Sequence, residues 1–437
     1  MQVQMDRRLA LQGGNKVREL PWPEWPAHDD GTERALHAVL HSGRWTISGP
    51  FTGESSRERR FARQFAEYCD STFCTPVASG TASLTIALLA LGVGAGDEVL
   101  IPGLTWVACA SATMAVGAVP ILVDIDPATL AMSVEGARRA VSERTAAIMV
   151  VHPYCQVANL DGFLTLSNEL GVPLVEDCSQ AHGARWRGQR VGSFGALGCF
   201  SMQQSKVLTS GEGGAVVTSD RALYERLEQL RADGRMFSAE PRRGSLELEE
   251  VGQVQGHNFC LSEFQAAVLL DRLGHLDAEN ARRRQFAGTL ARIFQSTDLA
   301  RLPPQDVHAE TTYYNLVLEL DIARFGGNSV DAVARAMTAE LGIQVSPVYQ
   351  PTNRHPLYRP HLSPRYRGDT VRTASLDPAR FALPNAEAAR ARFITFPNWV
   401  LLADEQGADD ILTALRKVAA CSDALREMEQ GMLHQAF

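Results

Sequence analysis

Between residues 61 and 220, short runs rich in β-branched and other apolar residues alternate with runs of helical periodicity, and few folds accommodate that alternation. Strands are expected at 98–101, 119–123, 146–151, 173–176, 197–201 and 214–218, with helices at 81–91, 134–141 and 160–170 among them. The pattern predicts an α/β fold with a mainly parallel sheet covered by helices. At 437 residues and 45% hydrophobic content, the chain can bury one large core and a smaller second one. The expected organisation is a mobile N-terminal arm over 1–20, a large domain over 21–275 and a smaller C-terminal α+β domain over 276–437. Residues 261–273 carry apolar side chains at helical spacing, and one long helix is expected to continue from there towards Arg284. In the small domain, strands at 315–320 and 344–348 flank a helix at 330–341, and the Pro-rich stretch 347–364 reads as loop.

A net charge of -8 argues against nucleic acid or an anionic membrane as the main partner and leaves a small-molecule substrate. No run is long and apolar enough to span a membrane, and residues 1–20 lack the apolar centre of a signal peptide. The eight cysteines lie mostly within apolar runs and form no paired C-x-x-C motifs, as expected of reduced thiols in a cytoplasmic protein.

Chemistry concentrates at two positions. Lys206 stands among small and glycine residues in Gln204-Ser-Lys206-Val-Leu-Thr-Ser-Gly-Glu-Gly-Gly214, between two apolar runs. A desolvated amine there is a candidate Schiff-base nucleophile, because burial disfavours the ammonium and frees the lone pair. Asp177 closes the apolar run Val172-Pro-Leu-Val-Glu-Asp177, at the strand end where open α/β sheets place ligand chemistry. A helix cap would explain Asp177 alone but not the pair. Pyridoxal phosphate needs both groups: a lysine for its aldehyde and a carboxylate facing its pyridine nitrogen.

Other segments fit an anionic, flat ligand. Ser79-Gly80-Thr81 precedes an apolar helix, where free N–H groups and hydroxyls could bind a phosphate or simply cap the helix. Gly92-Val-Gly94-Ala-Gly96 follows a helix and precedes a strand, the reverse of a dinucleotide fingerprint. Trp106 falls just past a strand end and could stack on an aromatic ring or pack in the core. The histidines, His182 included, show no metal-binding spacing, so no metal is expected.

In order along the chain, Ser79-Gly-Thr81, Trp106, Val175-Glu-Asp177-Cys-Ser-Gln180-Ala-His-Gly183, Phe200-Ser201, Lys206 and Gly211-Glu-Gly-Gly214 resemble the DegT/DnrJ/EryC1/StrS family of fold-type-I pyridoxal-phosphate aminotransferases. The resemblance implies that Lys206 carries the internal aldimine and shuttles the proton. It implies that Asp177 pairs with the pyridinium nitrogen, Gln180 contacts the ring hydroxyl, Trp106 stacks on the ring, and Gly80, Thr81 and Ser201 hold the phosphate. It also implies a homodimer in which Asn258 of one subunit reaches the phosphate of the other. Family members that dehydrate sugars have histidine at the lysine position, so Lys206 implies transamination.

Within the family, Trp22-Pro-Glu-Trp-Pro26, Arg44-Trp-Thr-Ile-Ser-Gly49, Gln203-Gln-Ser-Lys206-Val-Leu-Thr209, Leu230-Arg-Ala-Asp-Gly234 and Cys260 are similar to cyclitol aminotransferases of aminoglycoside pathways. Those enzymes imply L-glutamine or glutamate as donor and a ring ketone such as scyllo-inosose or 2-deoxy-scyllo-inosose as acceptor. Another carbasugar, a nucleotide-linked keto-sugar or a non-catalytic cofactor-binding regulatory protein are the alternatives. His152-Pro153-Tyr154-Cys155 and Phe396-Pro397-Asn398-Trp399 depart from the family pattern and are expected to line the substrate pocket.

Overall fold

A computed structural model of the chain describes residues 8–366 and 368–435. Its centre is a seven-stranded sheet of β1 (Phe73–Val77), β2 (Glu98–Pro102), β3 (Val119–Val123), β4 (Thr145–Val151), β5 (Leu174–Asp177), β6 (Leu197–Ser201) and β7 (Gly214–Thr218), in the order β1-β7-β6-β5-β4-β2-β3. Five strands, β6-β5-β4-β2-β3, run parallel and are buried on both faces, which is why they read as near-continuous apolar runs. β7 alone is reversed, pairing antiparallel with both β1 and β6. Gly214 lies opposite Ser201 and Val77, so the start of β7 meets the ends of its two neighbours at one edge. The connection 202–213 therefore needs no crossover, and Lys206 stays at the edge where β5 delivers Asp177.

β1 was not expected, because Pro76 breaks its pattern. It occupies the sheet margin, where a residue without an N–H is tolerated. The single long helix expected from 261 is instead two, Glu263–Leu273 and Leu276–Phe294. Ser262 and Gln265 form a capping box that starts the first helix. At its end Gly274 and His275 donate to the carbonyls of Asp271 and Arg272, and that tighter spacing breaks the helix. Glycine is a poor interior helix residue, which fits the break.

A second sheet orders the short strands Ala300–Arg301, Asn315–Leu320, Phe393–Pro397 and Ser346–Pro347, all antiparallel. The run expected at 344–348 shrinks to two residues, because Pro347 has no donor and the strand forms the edge. Helices Val330–Leu341 and Glu405–Ala420 pack together beside this sheet.

Residues 8–20, part of the expected arm, lie against these two helices; residues 1–7 are outside the described residues. Leu9 is buried, Ala10 N donates to Glu340 Oε1 (2.8 Å), and Arg18 pairs with Asp410 (2.7 Å). Lys417 bonds both Glu340 (2.9 Å) and the Asn15 carbonyl (2.6 Å). Further along, Trp22 donates to the Leu341 carbonyl (2.8 Å) and Trp25 to the Gln204 carbonyl (2.9 Å). The segment is thus a strap from these helices to the turn before Lys206. Among the described residues no helix is long and apolar enough to cross a membrane.

Candidate active site

Gly80, Thr81, Trp106, Asp177, Gln180, Ser201 and Lys206 line one cavity of about 400 Å3 at the sheet edge. Its floor comes from strand ends and its rim from loops, the place where α/β sheets bind ligands.

Lys206 closes a turn, its N–H donating to the Gln203 carbonyl (2.8 Å), and its side chain is buried. The Lys206 Nζ lies 3.9 Å from the centre of the Tyr314 ring, and the Tyr314 hydroxyl is 3.1 Å from Ser205 Oγ. Burial opposes ionisation of the Tyr314 phenol, but the positive charge of Lys206 and hydrogen bonds to Ser205, Tyr349 and Lys206 together outweigh it and lower the phenol's pKa. Tyr349 faces the same cavity, and burial raises its pKa.

Asp177 is the last residue of β5 and is buried. One carboxylate oxygen accepts from Ser179 N (3.0 Å), the other from the Cys109 thiol (3.3 Å). Burial and the adjacent carboxylate raise the Cys109 pKa far above the usual thiol range, so the sulfur keeps the proton it donates. Behind it, Glu176 accepts from Gly192 N (2.8 Å), Phe194 N (2.8 Å) and Gly195 N (2.7 Å). His152 Nδ1 accepts from Ala158 N (3.1 Å), which leaves Nε2 to donate to Glu176 (3.3 Å). These bonds fix the loop after β5. Gln180 Oε1 accepts from Tyr154 N (2.6 Å).

Ser79 caps helix Gly80–Ala90 by accepting from Ala82 N (3.1 Å), which places the helix's free N–H groups at the cavity. Gly80 packs so close to β6 that a Cβ there would lie 2.5 Å from Ser201 Cβ. Trp106 stands at the rim, 48% exposed, with its ring 6.0 Å from those of Tyr349 and His355.

Asn258 does not line the cavity of its own chain; it is exposed and forms a bridge with Ala232. The two departing segments do not line it either. Tyr154 stacks behind Tyr349 at 5.2 Å and accepts its backbone N–H (2.9 Å), and Asn398 donates to the Ser205 carbonyl (2.9 Å). They act on the cavity wall from behind. Tyr314 and Glu212 line the cavity without having been expected there. Tyr314 lies in Thr311-Thr-Tyr-Tyr314-Asn315, whose only signal is its place before a strand.

An amine, a buried carboxylate with two donors, an aromatic rim and a helix N-terminus make a site for an anionic aromatic aldehyde. The chain belongs to the DegT/DnrJ/EryC1/StrS aminotransferase family, whose model matches residues 26–416. It is a pyridoxal-phosphate-dependent aminotransferase, and the residues present fit that cofactor. It is 49% identical over 414 residues to an L-glutamine:2-deoxy-scyllo-inosose aminotransferase of Streptomyces kanamyceticus, covering 94% of this chain and 96% of the relative. It is 47% identical over 427 residues to an L-glutamine:scyllo-inosose aminotransferase of Streptomyces griseus, covering 98% of this chain and 100% of the relative. Among solved structures, DesV of S. venezuelae, in complex with a ketimine intermediate, is 31% identical, with TM-score 0.73 and coverage of 89% of this chain and 94% of that one. A 3-amino-5-hydroxybenzoic acid synthase is 29% identical, with TM-score 0.76 and coverage of 92% and 99%.

Proposed function

We propose that this aminotransferase moves the amino group of L-glutamine, or of glutamate, to the ring ketone of a cyclitol, scyllo-inosose or 2-deoxy-scyllo-inosose, in aminoglycoside-type biosynthesis. The observation that carries this reading is identity of 47% to 49% over nearly the whole chain to enzymes named for those ketones.

Bound pyridoxal phosphate supplies an electron sink for breaking the Cα–H bond of the donor. Lys206 would hold the cofactor through its aldehyde and would carry the proton. Asp177, oriented by Ser179 N and the Cys109 thiol, would keep the pyridine nitrogen protonated. Gly80, Thr81 and Ser201, which line the cavity at the helix N-terminus, would hold the phosphate, Gln180 would contact the ring hydroxyl, and Trp106 would stack on the ring. Asn258, exposed and away from its own cavity, is assigned to the phosphate of a second copy, which makes the working unit a homodimer. Seven buried thiols among eight suit a reducing compartment, and the proposed location is the cytoplasm.

A side-by-side assay with L-glutamine as donor tests the acceptor. Amination of scyllo-inosose or its 2-deoxy analogue should exceed amination of any nucleotide-linked keto-sugar. The reverse preference would overturn the cyclitol reading and leave the aminotransferase assignment standing.

A further inference from the structure

Helix Leu276–Phe294 leads from the large domain into the small one, and two of its residues, Asn280 and Arg283, share a face one turn apart. Asn280 Nδ2 donates to the carbonyl of His182 (3.0 Å), in the loop that follows Asp177. Arg283 donates to Asn280 Oδ1 (3.1 Å) and, through its other terminal nitrogen, to Asn398 Oδ1 (3.1 Å). Asn398 Nδ2 then donates to the carbonyl of Ser205 (2.9 Å), the residue before Lys206. Each carboxamide has only one orientation that satisfies its neighbours, because a guanidinium only donates and a backbone carbonyl only accepts. Asn280, Arg283 and Asn398 are at most 1% exposed. Trp25 adds a parallel tie: its indole donates to the Gln204 carbonyl (2.9 Å), and its ring lies 5.2 Å from the Arg283 guanidinium.

We propose that Asn280, Arg283 and Asn398 are positioning residues for transamination, forming a buried hydrogen-bonded chain that sets the separation between the Asp177 loop and the Lys206 turn. None of the three lines the cavity, so the chain acts on where the two reacting groups stand. A buried guanidinium is a costly way to fill space, whereas its fork can hold two oxygens at fixed positions. Glu279 Oε2, 3.3 Å from Arg283, supplies the compensating charge. The chain also couples the small domain, through Asn398, to the reactive lysine. The inference rests on the assignment of Lys206 and is independent of the acceptor.

Asn398→Asp is the discriminating variant. It keeps the size of the side chain and the acceptor for Arg283 but replaces the donor to the Ser205 carbonyl. Asn398→Leu removes both bonds, and Trp25→Phe keeps the ring while losing its N–H. Hydrogen exchange of residues 203–210 is followed in each apoenzyme, and the pH titration of the visible absorbance in each holoenzyme. The expected result for Asn398→Asp is faster exchange confined to 203–210 and a displaced absorbance midpoint. The kcat should fall about tenfold, since small misplacements of reacting groups are costly, with KM for glutamine unchanged. Trp25→Phe should give the same pattern in weaker form, and it decides with Asn398→Asp if the leucine variant fails to fold. Wild-type exchange at 203–210 together with a wild-type absorbance midpoint would overturn the proposal. So would acceleration spread evenly over the whole chain, which marks general destabilisation. Borohydride reduction followed by peptide mapping separates the two layers: an adduct away from Lys206 removes the assignment of the lysine, while the apoenzyme exchange still judges the chain of bonds.

Discussion

Gly80→Ala puts a methyl group 2.5 Å from Ser201 Cβ and 2.9 Å from Ser201 Oγ. Carbon atoms in contact prefer about 3.5 to 4.0 Å, so helix and strand must separate by about 1 Å or more. Both partners are buried, and Ser201 is tied into β6 by its pairing with Gly214, so neither yields easily. Overpacking of this kind costs about 1 to 3 kcal/mol. The same displacement moves the free N–H groups that face the cavity, and losing about 1.4 kcal/mol at the phosphate weakens cofactor binding about tenfold. The assay is urea unfolding of the apoenzyme, followed by titration with pyridoxal phosphate. Gly288→Ala is the control: Gly288 is exposed within helix Leu276–Phe294, and its Cβ would meet nothing within 4 Å. That variant should gain about 0.5 to 1 kcal/mol from helix propensity and bind cofactor normally. If Gly80→Ala is as stable as the parent and keeps its cofactor affinity, the packing argument is wrong.

Borohydride should trap the cofactor on Lys206, and Lys206→Ala should lose turnover; a trapped peptide elsewhere would refute the assignment. Asp177→Asn should fold but lose about 3 to 5 kcal/mol of transition-state stabilisation, read as kcat/KM, whereas near-normal turnover would mean another group serves the pyridine nitrogen. Mixed Lys206→Ala and Asn258→Ala protomers should regain activity above either parent, because one site per hybrid dimer then holds both residues; inactivity despite proven subunit exchange would refute a shared site. His182 is held neutral by burial and by the nearby Lys206 charge, its pKa pushed down to about 3 from 6.5. The unfolded chain takes up that proton as the pH falls through 6.5 and the folded chain does not, so the His182 contribution is intact above 6.5 and is lost progressively down towards 3. His182→Leu should flatten the pH dependence of unfolding in that window, and an unchanged slope would refute the assignment.

Sequence legibility followed locality. Strands Val119–Val123, Leu197–Ser201 and Gly214–Thr218 and helices Leu160–Leu170 and Val330–Leu341 lie where their periodicity placed them, because pattern and propensity agree there. Asp177 and Lys206 were legible as a pair, since one cofactor requires both. Phe393–Pro397 was missed although its aromatic and β-branched residues favour a strand; its short run gains meaning only between Asn315–Leu320 and Ser346–Pro347. Tyr314 was invisible because its partners, Ser205 and Lys206, lie more than a hundred residues away. Asn398 drew notice as a departure and was placed in the substrate pocket. Its bond to Ser205 spans 193 residues, a pairing no local pattern encodes.

The strap at the start of the chain also imposes an order in time. Its anchors are Glu340, Asp410 and Lys417, and the Lys417 bond to Asn15 joins residues 402 apart. The seat for this segment is therefore made long after the segment itself and after the central sheet. The central sheet is complete in sequence by Thr218 and can assemble first, as domains generally do from the N-terminus. Residues 8–18, made before all of it, cannot be fully seated until the helix carrying Asp410 and Lys417 is made. Trp25, at the end of the same segment, reaches the Gln204 carbonyl, so the turn that presents Lys206 takes part of its support from a strap that is seated late.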